Sequence, residues 1–506
     1  MSRPSILTFL ALLICFASFA QSVDDVMPLP SMKEDLQIFR EIRTAANSGV
    51  YKYRTENQMD SIYASANGQL LKIKSYREFF SLLNEITDFE GSAHNDTSLP
   101  SEMMDLMRME NAGYFPYPIK LIEGKWLLNV INADIPHGSE IVSINARPIS
   151  EIIQSVYKYY TTDGYNITGK RIGIQYSFAK YYRWEYGLED SFLVTYRVPG
   201  SKVLEKAQIE SVGYKNFYQN VNKRFSRPFD QGALRNWKIE EMYRFEKLDV
   251  KTGLLEINDF AIGKNAKAPE HLEFLKFLKR IFSEIEMEGI ENLIIDIRNN
   301  GGGTDPNELV VYEYLTNRKF SENKSAWISF HKAPYLNYYV TKVPKFLRKL
   351  IFSLKYKKYL SKEFPVAVDG RYYQDENSED HLVRQPRKNA FHGQIYLLVS
   401  ARVASAGSNF AALVASNENT LVVGEETMGG YYGHNGHTPL SYVLPNSTFV
   451  TTFSIVNLEQ DVLVRENQSK GRGVIPDHEI SQTFDDYLNH RDAVMFFTQK
   501  LIASKP

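Results

Sequence analysis

Cysteine is almost absent from the 506-residue sequence, because Cys15 is the only one. It lies in a stretch that we expect to be cleaved, which leaves the mature chain without disulfides, a thiol nucleophile or a cysteine metal site. An excess of one charge is also missing, since 59 Lys and Arg residues balance 60 Asp and Glu residues. Neither this balance nor any motif indicates a nucleic-acid partner.

The N-terminal stretch has the pattern of a secretory signal peptide. Arg3 supplies a positive charge, residues 6–16 form an apolar run, and small residues at 18 and 20 mark a cleavage site. The residues before Cys15 are not small, which argues against lipidation of that cysteine. No later run predicts a membrane-spanning helix. We therefore predict a signal peptide at 1–20 and a periplasmic or secreted mature protein.

The periodicity of apolar residues changes along the chain and predicts its organisation. Helical spacing comes first, then short strands and turns, then a polar connector, then strands that alternate with helices. The last pattern favours an α/β core. The predicted parts are an N-terminal helical domain at 21–114, a β-rich domain at 115–205, a connector at 206–245, and a core at 246–490 with an insert at about 320–390.

The β-rich part contains NADIPHGSEIVSINARPISEIIQSV at residues 132–156. This stretch predicts a glycine turn, a strand at 140–144, a tight turn and a helix, in that order. It resembles the carboxylate-binding half of a PDZ domain, a module that binds peptide ends by strand addition. An unrelated β-rich insert is the alternative interpretation.

The insert contains a basic, amphipathic segment at 342–362, KVPKFLRKLIFSLKYKKYLSK, which has no acidic residue. Three interpretations fit this composition. The segment is a lid, a peripheral contact with anionic envelope lipid, or a helix with one solvated face.

A glycine run follows a predicted buried strand in LIIDIRNNGGGTD, residues 293–305. Without Cβ atoms, Gly301, Gly302 and Gly303 allow a sharp turn and a close approach of the backbone to a ligand. Backbone N–H groups exposed in this way stabilise the oxyanion of acyl transfer. The run lacks the spacing of a phosphate-binding loop. A plain turn is the alternative.

A serine opens a second predicted helix in LLVSARVASAGSNFAALVASN. Ser405 at this position is usually a helix cap. However, Ala406 and Gly407 are small and leave the hydroxyl and the Ala406 N–H accessible, at a helix end that favours negative charge. The sequence has no GxSxG and no HExxH, which argues against an α/β-hydrolase elbow and the common zinc-protease motif.

Taken together, three stretches resemble the tail-specific or C-terminal-processing serine peptidases of family S41, which include the tricorn core protease. They are LIIDIRNNGGG, VASAGSNFAALVASNENTLVVGEETMGG and GRGVIPDHEI. The resemblance implies a ClpP/crotonase-like α/β core and polypeptide substrates, without a metal or an organic cofactor. It also implies Ser405 as the nucleophile, with oxyanion donors from Gly302 or Gly303 and from Ala406. The oligomeric state stays open.

The general base needs a separate argument, because many members carry a lysine 25 positions after the serine and Gly430 stands there in this chain. The tricorn-like branch uses a histidine instead, and FEGSAHNDTSLP resembles its segment. This implies His94 as the base, although an ordinary surface histidine is the alternative. We place the orienting acid at Glu466, and the alternatives for it are Glu459, Asp461 and Glu425.

Two other histidines, His434 and His437, lie in the glycine-rich stretch YYGHNGH. They form a metal pair, a rival base or an ordinary loop, and no third metal ligand is evident from the sequence. We predict an exported serine peptidase that uses Ser405 and His94. The alternatives are a non-catalytic ligand- or peptide-binding protein on the same fold, or a hydrolase of a non-peptide ester or amide.

Overall fold

The computed structural model describes residues 21–131, 133–228, 236–378 and 381–504. The predicted signal peptide at 1–20 lies outside the described residues. Within the described ranges, no helix has the length and apolar character needed to cross a membrane.

The N-terminal part is mainly helical, as its periodicity predicts. Capping boxes at Thr55 and Ser75 fix the starts of the second and third helices, because each side chain satisfies a free backbone N–H. His94 lies in the loop after the third helix. The elements are α1 (Leu29–Ala46), α2 (Glu56–Gln69), α3 (Tyr76–Phe89), β1 (Asp96–Ser98) and α4 (Ser101–Arg108).

The next part forms an antiparallel sheet with helices against it. The predicted strand at 140–144 and the helix that follows it are confirmed, and a 19-residue helix lies between them and the last two strands. The sheet has the order β2-β3-β4-β6-β7, with β5 beside β4. The elements are β2 (Ile119–Ile122), β3 (Lys125–Leu128), β4 (Glu140–Ile144), β5 (Arg147–Pro148), α5 (Ile149–Val156), α6 (Thr168–Tyr186), β6 (Ser191–Arg197), β7 (Glu205–Glu210) and α7 (Tyr214–Asn222).

The rest of the chain contains both parallel and antiparallel strands. Its elements are α8 (Ile239–Met242), β8 (Tyr243–Lys247), β9 (Thr252–Ile257), α9 (Pro269–Glu288), β10 (Asn292–Asp296), α10 (Asn307–Tyr312), β11 (Asn323–Ile328), α11 (Lys345–Glu363), β12 (Val366–Val368), β13 (Arg371–Tyr373), β14 (Gln394–Val399), α12 (Ala406–Ala415), β15 (Thr420–Gly424), β16 (Asn435–Val443), β17 (Val450–Gln460), β18 (His478–Glu479), α13 (Phe484–Leu488) and α14 (Ala493–Ala503).

These strands form two sheets. One has the order β8-β9-β10-β14-β15-β18, and all of its pairs are parallel except the pair of β8 with β9. The other is antiparallel and has the order β1-β17-β11-β13-β12, with β16 beside β17. Strand β1 pairs with β17, so the loop that contains His94 leads directly into this second sheet. The predicted mixed α/β class is confirmed.

Two large hydrophobic clusters hold the parts together. One joins the N-terminal helices to the sheet of β2–β7 and to β16 and β17. The other fills the parallel sheet, where Leu293, Ile295 and Leu397 are fully buried between α9 and α12. Burial of each such side chain contributes about 1.5–3 kcal/mol. This rigid core fixes the strand ends that carry the glycine run and Ser405.

Candidate active site

The glycine run and Ser405 lie at the carboxyl ends of two neighbouring parallel strands, β10 and β14. In open α/β sheets this edge is where ligands bind. A Cβ added to Gly302 would lie 2.7 Å from the Cβ of Ser405 and 3.2 Å from the backbone nitrogen of Ala406. Gly302 also has a φ of 112°, which disfavours other residues. The structure thus brings the two sequence motifs into contact, and only glycine fits between them.

Ser405 has a strained backbone. Its φ of 51° and ψ of −131° place a non-glycine residue in a sparsely populated region. Such a conformation costs about 1–3 kcal/mol and is found mostly at functional sites. The Ser405 side chain makes no capping hydrogen bond to α12 and is partly exposed. The hydroxyl is therefore not used as a helix cap.

The backbone donors beside Ser405 differ in availability. The Gly302 N–H donates to Oδ1 of Asn300 at 2.9 Å, and the Gly302 carbonyl accepts from the Phe260 N–H at 2.9 Å. Among the described residues, no acceptor is bonded to the N–H of Gly303 or of Ala406. Of the two glycines that the resemblance implies, Gly303 is the one with a free donor.

His94 lies between α3 and β1 with its ring stacked on that of His434, at a centroid distance of 5.4 Å and an interplanar angle of 22°. Its Nδ1 is buried and has no hydrogen-bond partner among the described residues. Burial lowers the pKa of His94 from its usual value, and the negative charge of Asp163 opposes this shift. Burial thus favours the neutral imidazole, which is the form that accepts a proton.

Asp163, which the sequence did not single out, connects the His94 loop to the loop after β15. Its Oδ1 accepts from the Ala93 N–H at 2.9 Å, and its Oδ2 accepts from the Gly430 N–H at 3.0 Å. Burial raises the pKa of Asp163, while His94, these two donors and Lys52 oppose that shift. At Gly430, a Cβ would lie 2.6 Å from the carbonyl oxygen of Gly433.

The loop after β15 also contacts the helix that Ser405 opens. The Gly429 N–H donates to Oγ of Ser408 at 3.1 Å, and Ser408 lies one turn beyond Ser405 in α12. The Ser408 hydroxyl donates in turn to the Val403 carbonyl at 2.8 Å. Neighbouring residues of one loop therefore bind Asp163 on one side and the start of α12 on the other.

The structure does not bring the predicted orienting acid to His94. Glu466 is exposed on a turn and is not among the groups that shift the pKa of His94. The alternatives have other partners: Glu459 pairs with Lys324 at 3.2 Å, Asp461 pairs with Arg318 at 2.9 Å, and Glu425 interacts with Arg402. The acid beside His94 is Asp163, which corrects the placement at Glu466. Its stretch TTDGYN is an ordinary turn in the sequence, so only the tertiary structure identifies it.

The two histidines of the glycine-rich stretch have different surroundings. His434 is buried, which lowers its pKa well below the usual range, and its Nδ1 lies 3.4 Å from the Gln460 amide nitrogen. His437 lies 3.2 Å from the carboxylate of Glu322. Burial and the amide contact make His434 a poorer base than His94.

Comparison with known proteins adds sequence and fold evidence. Residues 251–480 match the sequence profile of Peptidase family S41. No curated protein matches the chain. Mature CPAF in complex with lactacystin is 14% identical over 94% of this chain and 100% of that one, with a TM-score of 0.57. A serine-to-alanine mutant of CPAF is 15% identical over 94% and 99%, with a TM-score of 0.59. At these identities the two structures show a similar fold.

The matched segment contains both parts of the site, the glycine run after β10 and Ser405 before α12. His94 and Asp163 lie outside it, and the hydrogen bonds of Asp163 join the His94 loop to the loop after β15, which contacts α12. Residues 251–480 therefore carry the sequence of peptidase family S41, and this match supports a serine-type peptidase.

Proposed function

We propose that the chain hydrolyses polypeptide bonds through an acyl-enzyme on Ser405, with His94 as the general base. The observation that carries this proposal is the state of Ser405. Its backbone is strained, its hydroxyl does not cap α12, and it faces the turn at Gly302. Strain of this kind needs support from the surrounding fold, and a structural cap would not require it.

The reaction has two stages in this geometry. The Ser405 hydroxyl attacks the scissile carbonyl while His94 accepts its proton, and the N–H groups of Gly303 and Ala406 bind the oxyanion. His94 then donates that proton to the leaving amine as the C–N bond breaks. In the second stage His94 accepts a proton from water, which attacks the acyl group, and returns it to the Ser405 oxygen as the new carboxyl end leaves. Each lost oxyanion donor costs about 10²–10³ in rate.

Asp163 is a positioning residue for this chemistry. Its carboxylate fixes the backbone next to His94 through the Ala93 N–H group and the loop after β15 through the Gly430 N–H group. Its negative charge also stabilises the imidazolium that forms when His94 takes the serine proton.

Replacement of Asp163 by asparagine is expected to lower kcat/KM by about 10–100-fold, because each pKa unit of lost imidazolium stabilisation corresponds to about tenfold. The acidic limb of the pH profile moves to lower pH. The carboxylate favours protonated His94, so without it the pKa of His94 falls further and the base stays neutral in more acidic solution. The measurement is kcat/KM from about pH 5 to 9.

Asp105→Asn, at an exposed position on α4, is the control. An acidic limb that moves to higher pH contradicts the assignment.

A fluorophosphonate probe tests the nucleophile directly. Ser405 is expected to form a covalent adduct with loss of fluoride, located by mass spectrometry of the peptide that spans β14 and α12. The adduct should be absent from Ser405→Ala and form much more slowly in His94→Ala. Labelling of a different serine, or no labelling of the wild type, contradicts the proposal and favours a non-catalytic binder on this fold.

The sheet of β2–β7 gives a basis for substrate selection. We propose that it acts as a PDZ-like unit that binds polypeptide ends, because the turn, strand β4 and helix α5 follow in the order that the resemblance implies.

Export to the periplasm or the medium is proposed from the sequence at 1–20. The basic segment at 342–362, which includes α11 except for its last residue, is proposed as a peripheral contact with anionic lipid.

A further inference from the structure

A cluster of metal-binding side chains lies directly after the glycine run. Asp305, Glu322 and His437 each present one ligand atom, and these atoms lie within 4.8 Å of one another. Asp305 follows Gly303 by two residues, Glu322 precedes β11, and His437 belongs to β16. Three segments that are distant in the chain therefore converge at one point beside the site.

A further carboxyl group lies buried beside this cluster. Glu308 lies in the first turn of α10 and is fully buried, and no donor among the described residues reaches either of its oxygens. Burial, the charges of Asp305 and Glu322, and a hydrogen bond shared with the Asp305 carboxyl raise the pKa of Glu308 well above its usual value. The charged form of Glu308 is therefore disfavoured without a cation. A divalent ion held by these groups offsets that repulsion.

The composition of the cluster indicates the class of ion. Calcium and magnesium prefer ligand sets made of oxygen atoms, whereas imidazole together with carboxylates suits first-row transition ions. Bonds of about 2.0–2.2 Å to such an ion place opposite ligands about 4.2 Å apart. The three ligand atoms lie within 4.8 Å of one another, a span that small side-chain rotations adjust to this separation.

We propose that Asp305, Glu322 and His437 bind one divalent first-row transition ion beside the buried Glu308, for which Mn²⁺ and Zn²⁺ are the probes. The ion joins the loop after the glycine run to the starts of β11 and β16. It thereby fixes the segment that leads from Gly303 into α10. This role is positional and separate from the proton transfer proposed for His94.

The test is calorimetric titration of chelator-treated, full-length protein with MnCl₂ and with ZnCl₂. The wild type is expected to bind one equivalent of either ion with a Kd of about 10 μM or below, and to unfold at a higher temperature when it is loaded. CaCl₂ and MgCl₂ should bind at least about tenfold more weakly, because the imidazole is a poor ligand for them. Tighter binding of Ca²⁺ or Mg²⁺, or a Kd above about 1 mM for both Mn²⁺ and Zn²⁺, overturns the proposal.

Two variants locate the site. Glu308→Gln and Glu322→Gln should each weaken Mn²⁺ binding at least about tenfold, whereas Glu273→Gln, at an exposed position on α9, should bind like the wild type. Glu308→Gln removes a buried carboxyl whose charged form is disfavoured, so without metal it should be at least as thermally stable as the wild type. Ser405→Ala should bind Mn²⁺ normally, which keeps this test independent of peptidase activity. Unchanged Mn²⁺ binding in both Glu308→Gln and Glu322→Gln rejects the assignment.

Discussion

Replacement of Ser405 by alanine is expected to lower kcat/KM for an unfolded polypeptide by about 10⁴-fold or more. Removal of the hydroxyl leaves no nucleophile for an acyl-enzyme, and the remaining oxyanion donors give only residual catalysis. Alanine can keep the strained backbone of Ser405, so the temperature of unfolding should change little. The measurement is release of new amino groups from an unfolded protein, with the thermal transition recorded in parallel.

The control for this variant is a serine at the C-terminal end of the same helix. Ser416 is at the far end of α12, where its hydroxyl donates to the Leu413 carbonyl at 2.7 Å. Ser416→Ala should keep nearly wild-type turnover, because its loss affects only a local hydrogen bond. If Ser405→Ala retains turnover, another group attacks the substrate and the proposed mechanism is wrong.

Replacement of His94 by alanine is expected to lower kcat/KM by about 10³–10⁴-fold, near the upper end of what general-base catalysis contributes. The serine hydroxyl is a weak nucleophile without a group to accept its proton. The proposed mechanism has Ser405 and His94 act as a unit, so the double variant should be hardly less active than Ser405→Ala alone. Additive losses in the double variant would show that the two side chains act in separate steps.

His434 provides the competing test, because its ring stacks on that of His94. His434→Asn should cost less than about tenfold in kcat/KM, since burial lowers the pKa of His434 well below its usual value and its Nδ1 faces an amide. The opposite pattern, an active His94→Ala and an inactive His434→Asn, would move the base to His434.

The sequence predicts those features of the site that depend on local pattern. Alternating strands and helices place the glycine run and Ser405 after buried parallel strands, and the carboxyl ends of such strands share one edge. The helix at α12 and the strand at 140–144 follow from periodicity and turn residues in the same way. In each case the decisive residues are neighbours in the chain.

Other features depend on residues that only the fold brings together. Asp163 has no neighbour in sequence that marks it as the partner of His94, and it acts through backbone N–H groups from two distant loops. Glu308 shows the same limit, because an acid in the first turn of a short helix is normally exposed and here it is fully buried. The strained residue Ser405 lies in the loop that joins β14 to α12.

The backbone at Gly430 determines how this catalytic site can be altered. The carbonyl of Gly433 occupies the space that a side chain at 430 would need, and the N–H of Gly430 already donates a hydrogen bond to Asp163. A lysine introduced there would displace the loop that supports the imidazole before its amine came near the serine. A lysine base at position 430 is therefore incompatible with the loop arrangement that supports the proposed histidine base. A single substitution cannot convert one form of the site into the other.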